Sequence, residues 1–108
     1  GLGEDGVLLI DAGQIFGEDV EAAALRLPAM ESARVTWFEE PFGGHAYGAY
    51  GALAKRSPIK LAGGEAAHNR PMAEHLIEFG GVGFVQIDTG RIGGIGPAKA
   101  VADRAVQA

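Results

Sequence analysis

Four short apolar runs recur along the chain, and each ends in an acid or a glycine pair leading to one. Val7-Leu8-Leu9-Ile10 is continuous and apolar, as a strand buried on both faces would be, and it stops at Asp11-Ala12-Gly13. Glu18-Asp19 then open a helical pattern, with acids where the helix dipole favours them. Val20, Ala23, Ala24 and Leu27 recur at helical spacing, and Pro28 marks the end of that helix or a late kink. Val35 to Phe38 is the second predicted strand, delivering Glu39-Glu40-Pro41 at its tip. The Gly43-Gly44-His45 loop leads to a short helix from about Tyr47 to Lys55, broken by Ser57-Pro58. Ile59 to Ala62 is the third strand, closed by Gly63-Gly64-Glu65. Arg70-Pro71 start a helix in which Met72, His75, Leu76 and Phe79 share a face and Gly80-Gly81 cap the end. Phe84 to Ile87 is the fourth strand, ending in Asp88, and a final helix runs from Ala98 to about Ala105.

Strand and helix thus alternate four times with short connections, the signature of βα units around a parallel sheet. Neither a linker nor a shift in composition divides the chain, and 108 residues allow at most one domain. The 18 glycines gather at the ends of apolar runs, which makes them tight loops and not low complexity. The net charge of −5 excludes the basic footprint of a nucleic-acid or anionic-membrane binder. There is no cysteine, hence no disulfide framework, thiolate nucleophile or zinc–thiolate site. No apolar run approaches membrane-spanning length and no signal segment opens the chain, so a cytoplasmic location is the default expectation.

The acids carry the chemistry. Asp11, Glu39, Glu65 and Asp88 stand at or just past four successive strand ends, each about one βα unit apart. In a barrel of such units the C-terminal tips are neighbours on one rim, where catalytic residues lie. Carboxylates gathered there need a counter-charge, because desolvating anions is costly. Hard oxygen donors of this kind suit Mg²⁺. The plain alternative is that each acid caps the following helix, a role Ser or Thr would fill equally well and which neither fills at these tips.

Ile10-Asp11-Ala12-Gly13, Trp37-Phe38-Glu39-Glu40-Pro41, Gly63-Gly64-Glu65 and the run from Gln86 to Gly94 resemble the enolase superfamily. More narrowly, they resemble its mandelate racemase-like branch, from about Val7 to Ala105. The resemblance implies an α/β fold, a partial (β/α)8 TIM barrel comprising the third to sixth strands. Residues 1–108 would then be a fragment of a single catalytic barrel domain. The N-terminal capping domain, a second-strand lysine base and a seventh-strand histidine would lie outside it. Gly1 in place of Met agrees with that expectation. By the same resemblance Asp11, Glu39 and Glu65 are the Mg²⁺ ligands, and Glu40 supports them or faces substrate. Asp88 orients the seventh-strand histidine, and Arg91 touches substrate or balances the carboxylates. The implied reaction removes the proton α to a carboxylate through an enediolate. A sugar-acid dehydratase is the favoured member; racemase, epimerase and cycloisomerase are the alternatives. The partner is then a small carboxylate substrate, with a homo-oligomer expected for the intact protein. The chain departs from the branch at Gly13, where relatives often place Asn.

Other residues weigh less. His68 and Asn69 follow a strand tip and could meet substrate, although capping the next helix is the favoured role for Asn69. His45 and His75 read as surface or helix-face residues, and Trp37 as barrel packing. The glycines between 90 and 96 lack both the GxGxxG and the P-loop spacing and read as a turn. Two readings of other classes compete: a small non-enzymatic α/β binding module of flavodoxin-like size, and a half-barrel that self-associates through open sheet edges.

Overall fold

The computed structural model describes residues 3–108. Strands β1 (Leu8–Asp11), β2 (Val35–Glu39), β3 (Lys60–Gly63) and β4 (Phe84–Val85) form one parallel sheet in the order β1-β2-β3-β4. The helices between and after them are α1 (Val20–Ala24), α2 (Leu27–Ser32), α3 (Tyr47–Ala54), α4 (Arg70–Gly80) and α5 (Ile95–Gln107). Each unit lies beside the one before it, with no reversal of strand order. A flavodoxin-like sheet reverses its order at a switch point; the wall of a (β/α)8 barrel does not. The fold is four βα units of that wall: the parallel βα alternation is what the apolar runs predict, and the barrel is what the resemblance implies.

Leu8 and Ile10 of β1, Phe38 of β2 and Leu61 of β3 face the helices, where they meet Phe42, Tyr50, Leu53 and Leu76. Burying a side chain such as Phe38 or Leu61 contributes about 1.5–3 kcal/mol. A register shift between Leu8 and Leu9 leaves Thr36 without a partner, so Val35 and Phe38 both reach the helix side although three residues apart. A smaller cluster of Ala67, Ala73, Ile92 and Val101 seats α5. The opposite sheet face carries Trp37 and Phe84, whose rings lie 4.9 Å apart, with the Lys60 ammonium 5.5 Å from the Phe84 ring. No helix among the described residues is long and apolar enough to cross a membrane.

Three elements differ from the predicted ones by more than a residue at an end. The first helix is two helices, because Pro28 in a continuous helix would collide with the carbonyl of Ala24, the last residue of α1. Pro28 instead occupies the first turn of α2, where its missing N–H is not needed. β4 is two residues and not four, because β3 leaves the ladder at Gly64, whose φ of +116° turns the chain away. α5 begins at Ile95, with Pro97 inside its first turn and not before it.

Candidate active site

The register brings the strand tips to one rim. Asp11 pairs with Glu39, the Ala12 N–H donates to the Glu39 carbonyl at 3.0 Å, and the Glu40 N–H donates to the Ala62 carbonyl at 3.0 Å. The Gln86 N–H donates to the Gly63 carbonyl at 2.9 Å and ties in β4. Trp37 and Glu39, two residues apart on β2, share the face away from the helices. Glu39 is therefore presented on the sheet face that a closed barrel encloses.

Each acid has its own partners. Asp11 Oδ1 accepts from the Gly13 N–H at 2.8 Å. Glu39 is held at both oxygens: Gln86 Nε2 donates to Oε1 at 2.7 Å and Trp37 Nε1 to Oε2 at 3.2 Å. Glu65 faces the Arg91 guanidinium at 4.0 Å, both side chains being about half exposed. Among the described residues, no three acid or histidine side chains stand close enough together to share one metal ion. The rim aligns the carboxylates by strand, and each head keeps its own local partner.

Glu40 and Gln14 form a clasp between the first two tips. Both take left-handed backbone, at φ +38° and +66°, which in non-glycine residues costs on the order of 1–3 kcal/mol each. They grip each other twice, Gln14 N–H to the Glu40 carbonyl at 2.7 Å and Gln14 Nε2 to Glu40 Oε2 at 3.1 Å. Among the described residues Glu40 Oε1 is buried without a partner, as is Gln86 Oε1. A buried unpaired acceptor costs about 1–3 kcal/mol, more when charged. Beneath them the buried Tyr50 hydroxyl donates to the Phe42 carbonyl at 3.1 Å. Burial first, then the negative charges of Glu40, Asp11 and Glu39, push the Tyr50 phenol well above its ordinary 10.0, so it stays a donor. The acids at these tips offer only carboxylate oxygens, one of them orphaned on Glu40, and that donor chemistry fits a hard dication.

Asp88 caps the turn after β4. Its Oδ1 accepts from the Arg91 N–H at 2.9 Å and the Gly90 N–H at 2.7 Å. Those two bonds, with the Arg91 charge adding to them, hold the carboxyl below its ordinary 3.8. The glycines that follow close a turn, with the Gly94 N–H on the Thr89 carbonyl at 2.7 Å. Asn69 is the N-cap of α4, its Oδ1 accepting from the Met72 N–H at 3.0 Å, and His68 beside it is exposed. His45 lies 3.6 Å from Glu18 on the surface, and His75 packs between Tyr47 and Phe79. Gln14, Tyr50 and Gln86 are absent from the predicted site. Gln86 left one signal, a lone polar residue inside an apolar strand run.

Comparison with known proteins places this rim in context. The profile of a family described as enolase C-terminal domain-like matches residues 1–108. The L-talarate/galactarate dehydratase of Salmonella typhimurium is 32% identical over 106 residues, 98% of this chain and 26% of its own length. Its crystal structure liganded with Mg and L-lyxarohydroxamate superposes with a TM-score of 0.91, covering 98% of this chain and 27% of that one. A crystal structure described as a predicted mandelate racemase from Rhodobacter sphaeroides is 61% identical with a TM-score of 0.93, covering 99% of this chain and 28% of that one. A Bradyrhizobium enolase complexed with magnesium and mandelic acid is 27% identical, with a TM-score of 0.90 over 98% of this chain and 29% of that one. The chain spans about a quarter of the length of the curated relatives it matches, 26% and 21%.

Proposed function

Because the chain belongs to the enolase C-terminal domain-like family, we propose that it supplies the metal-binding rim of an enzyme that removes the proton α to a carboxylate. On this reading residues 1–108 are the third to sixth βα units of a single (β/α)8 barrel. Asp11, Glu39 and Glu65 would hold Mg²⁺. The bound ion supplies a positive charge against the negative charge that develops on the substrate carboxylate as the proton leaves. The observation that carries the reading is the register that sets Asp11 beside Glu39, with Glu65 and Asp88 following the next two strands.

The chain's own residues divide the remaining work. Asp88 spends Oδ1 on two backbone N–H groups, and among the described residues nothing donates to Oδ2. That oxygen is free to accept from an imidazole N–H and fix its tautomer. Arg91 sits between Glu65 and the Asp88 turn, where it offsets carboxylate charge or meets an anionic substrate. Glu40 holds the first two tips in place through Gln14. His68 and Asn69 border the rim, and Asn69 keeps only its amide N–H groups for substrate because its oxygen caps α4.

The favoured substrate is a sugar acid, by likeness to the L-talarate/galactarate dehydratase. Removal of the α-proton and departure of the β-hydroxyl as water leave an enol, which ketonises to a 2-keto-3-deoxy acid. A racemase is the second reading, favoured by the 61% identical relative described as one. Proton NMR of the intact protein with Mg²⁺ and galactarate or talarate in D₂O separates them. Dehydration yields the keto acid; racemisation exchanges the α-proton for deuterium without it. No exchange and no keto acid from any hydroxy acid tried would defeat both.

A further inference from the structure

Gln86 lies one strand beyond the nearest neighbour of Glu39, yet its side chain reaches Glu39 across β3. It can do so because β3 ends in Ala62-Gly63 and Gly64 follows, with no bulky side chain in the way. The contact also fixes the amide orientation. A carboxylate only accepts, so Nε2 must face Glu39 and Oε1 must point away. Oε1 is then buried without a partner among the described residues. A glutamine kept for packing alone would pair both ends, or an apolar residue would replace it. Here one end stays unpaired so that the other can hold Glu39. Trp37 Nε1 fixes the second oxygen of the same carboxylate.

Resting on the reading of Glu39 as a metal ligand, we propose that Gln86 is a positioning residue that holds Glu39 in the orientation needed to bind a divalent cation, with Trp37 as the weaker second support. Partners of this kind around a ligating carboxylate change metal affinity without touching the metal.

The test is calorimetric titration of Mg²⁺, and of Mn²⁺ as a second probe, into the intact protein and its Glu39→Ala, Gln86→Met and Trp37→Phe variants. Melting is measured in parallel with chelator present. Gln86→Met is expected to bind Mg²⁺ about 10–100-fold more weakly while melting in chelator within a few degrees of wild type. Trp37→Phe, which removes the longer bond, is expected to lose less. If wild type binds and Glu39→Ala does not, but Gln86→Met binds as tightly as wild type, the positioning role is overturned and the ligand reading survives. A Gln86→Met protein that melts lower with unchanged affinity overturns it equally, since the role is then structural. If Gln86→Met does not fold, Trp37→Phe decides: affinity equal to wild type overturns the proposal. If wild type itself binds no Mg²⁺, the ligand reading falls and this inference with it.

Discussion

Gly64→Ala probes how the rim is assembled. Gly64 holds φ at +116°, and a Cβ built there would stand 2.7 Å from the Gln86 carbonyl oxygen and 3.5 Å from Val85 Cγ1. The backbone angle alone costs a side-chain-bearing residue on the order of 1–3 kcal/mol. Relieving the clash pushes β4 away and endangers the bond from the Gln86 N–H to the Gly63 carbonyl at 2.9 Å, worth about 1 kcal/mol. The expected loss is roughly 2–4 kcal/mol. Two other glycines separate the contributions. Gly93 has φ +96° and nothing within 4 Å of a built Cβ, so Gly93→Ala carries the backbone cost without the clash. Gly48 lies inside α3 with open space around it, and Gly48→Ala should gain about 0.5–1 kcal/mol from helix propensity. Urea unfolding of the intact protein, followed by circular dichroism, ranks the three by midpoint at constant slope. A Gly64→Ala midpoint no lower than that of Gly93→Ala would refute the close approach of β3 and β4 on which the Gln86 geometry rests.

Two further outcomes follow from the same site. Tyr50→Phe strips the donor from the buried Phe42 carbonyl and should cost about 1–3 kcal/mol in urea unfolding; an unchanged midpoint would mean that carbonyl finds another donor. The low Asp88 value predicts a pH dependence. Its folded carboxyl is depressed below the ordinary 3.8, so its stabilisation is fully present above that value and lost as pH falls through the folded one. The stability gap between wild type and Asp88→Asn should therefore shrink in acid, and a gap constant with pH would contradict it.

The strands were legible because each is an apolar run interrupted on cue. Val7 to Ile10, between Gly6 and Asp11, and Val35 to Phe38, between Arg34 and Glu39, are apolar runs with polar or glycine ends, which read as strands. The order of the strands followed from short connections. What the sequence concealed was set by single contacts between distant residues. Pro28 marked a helix break, but only the clash with the Ala24 carbonyl places that break before it and not after. Four acids at strand tips were visible; their partners were not. Nothing in Gln86 alone reveals a bond to a residue 47 positions away, and nothing in Gln14 reveals its grip on Glu40. Asn69 shows the opposite case, since a residue two positions before a proline at a helix start reads as a cap and is one.

Calorimetric titration of Mg²⁺ into the intact protein and its Asp11→Ala variant tests the central claim most directly. The acids of this rim are held to bind the ion together, and among the described residues the Asp11 side chain has the Gly13 N–H as its one hydrogen-bond partner. The account predicts binding by wild type and a loss of more than about 10-fold in the variant, since even residues around a ligand cost that much. Equal affinity would show that Asp11 is no ligand, and that the acids at these strand tips serve the turns they sit in.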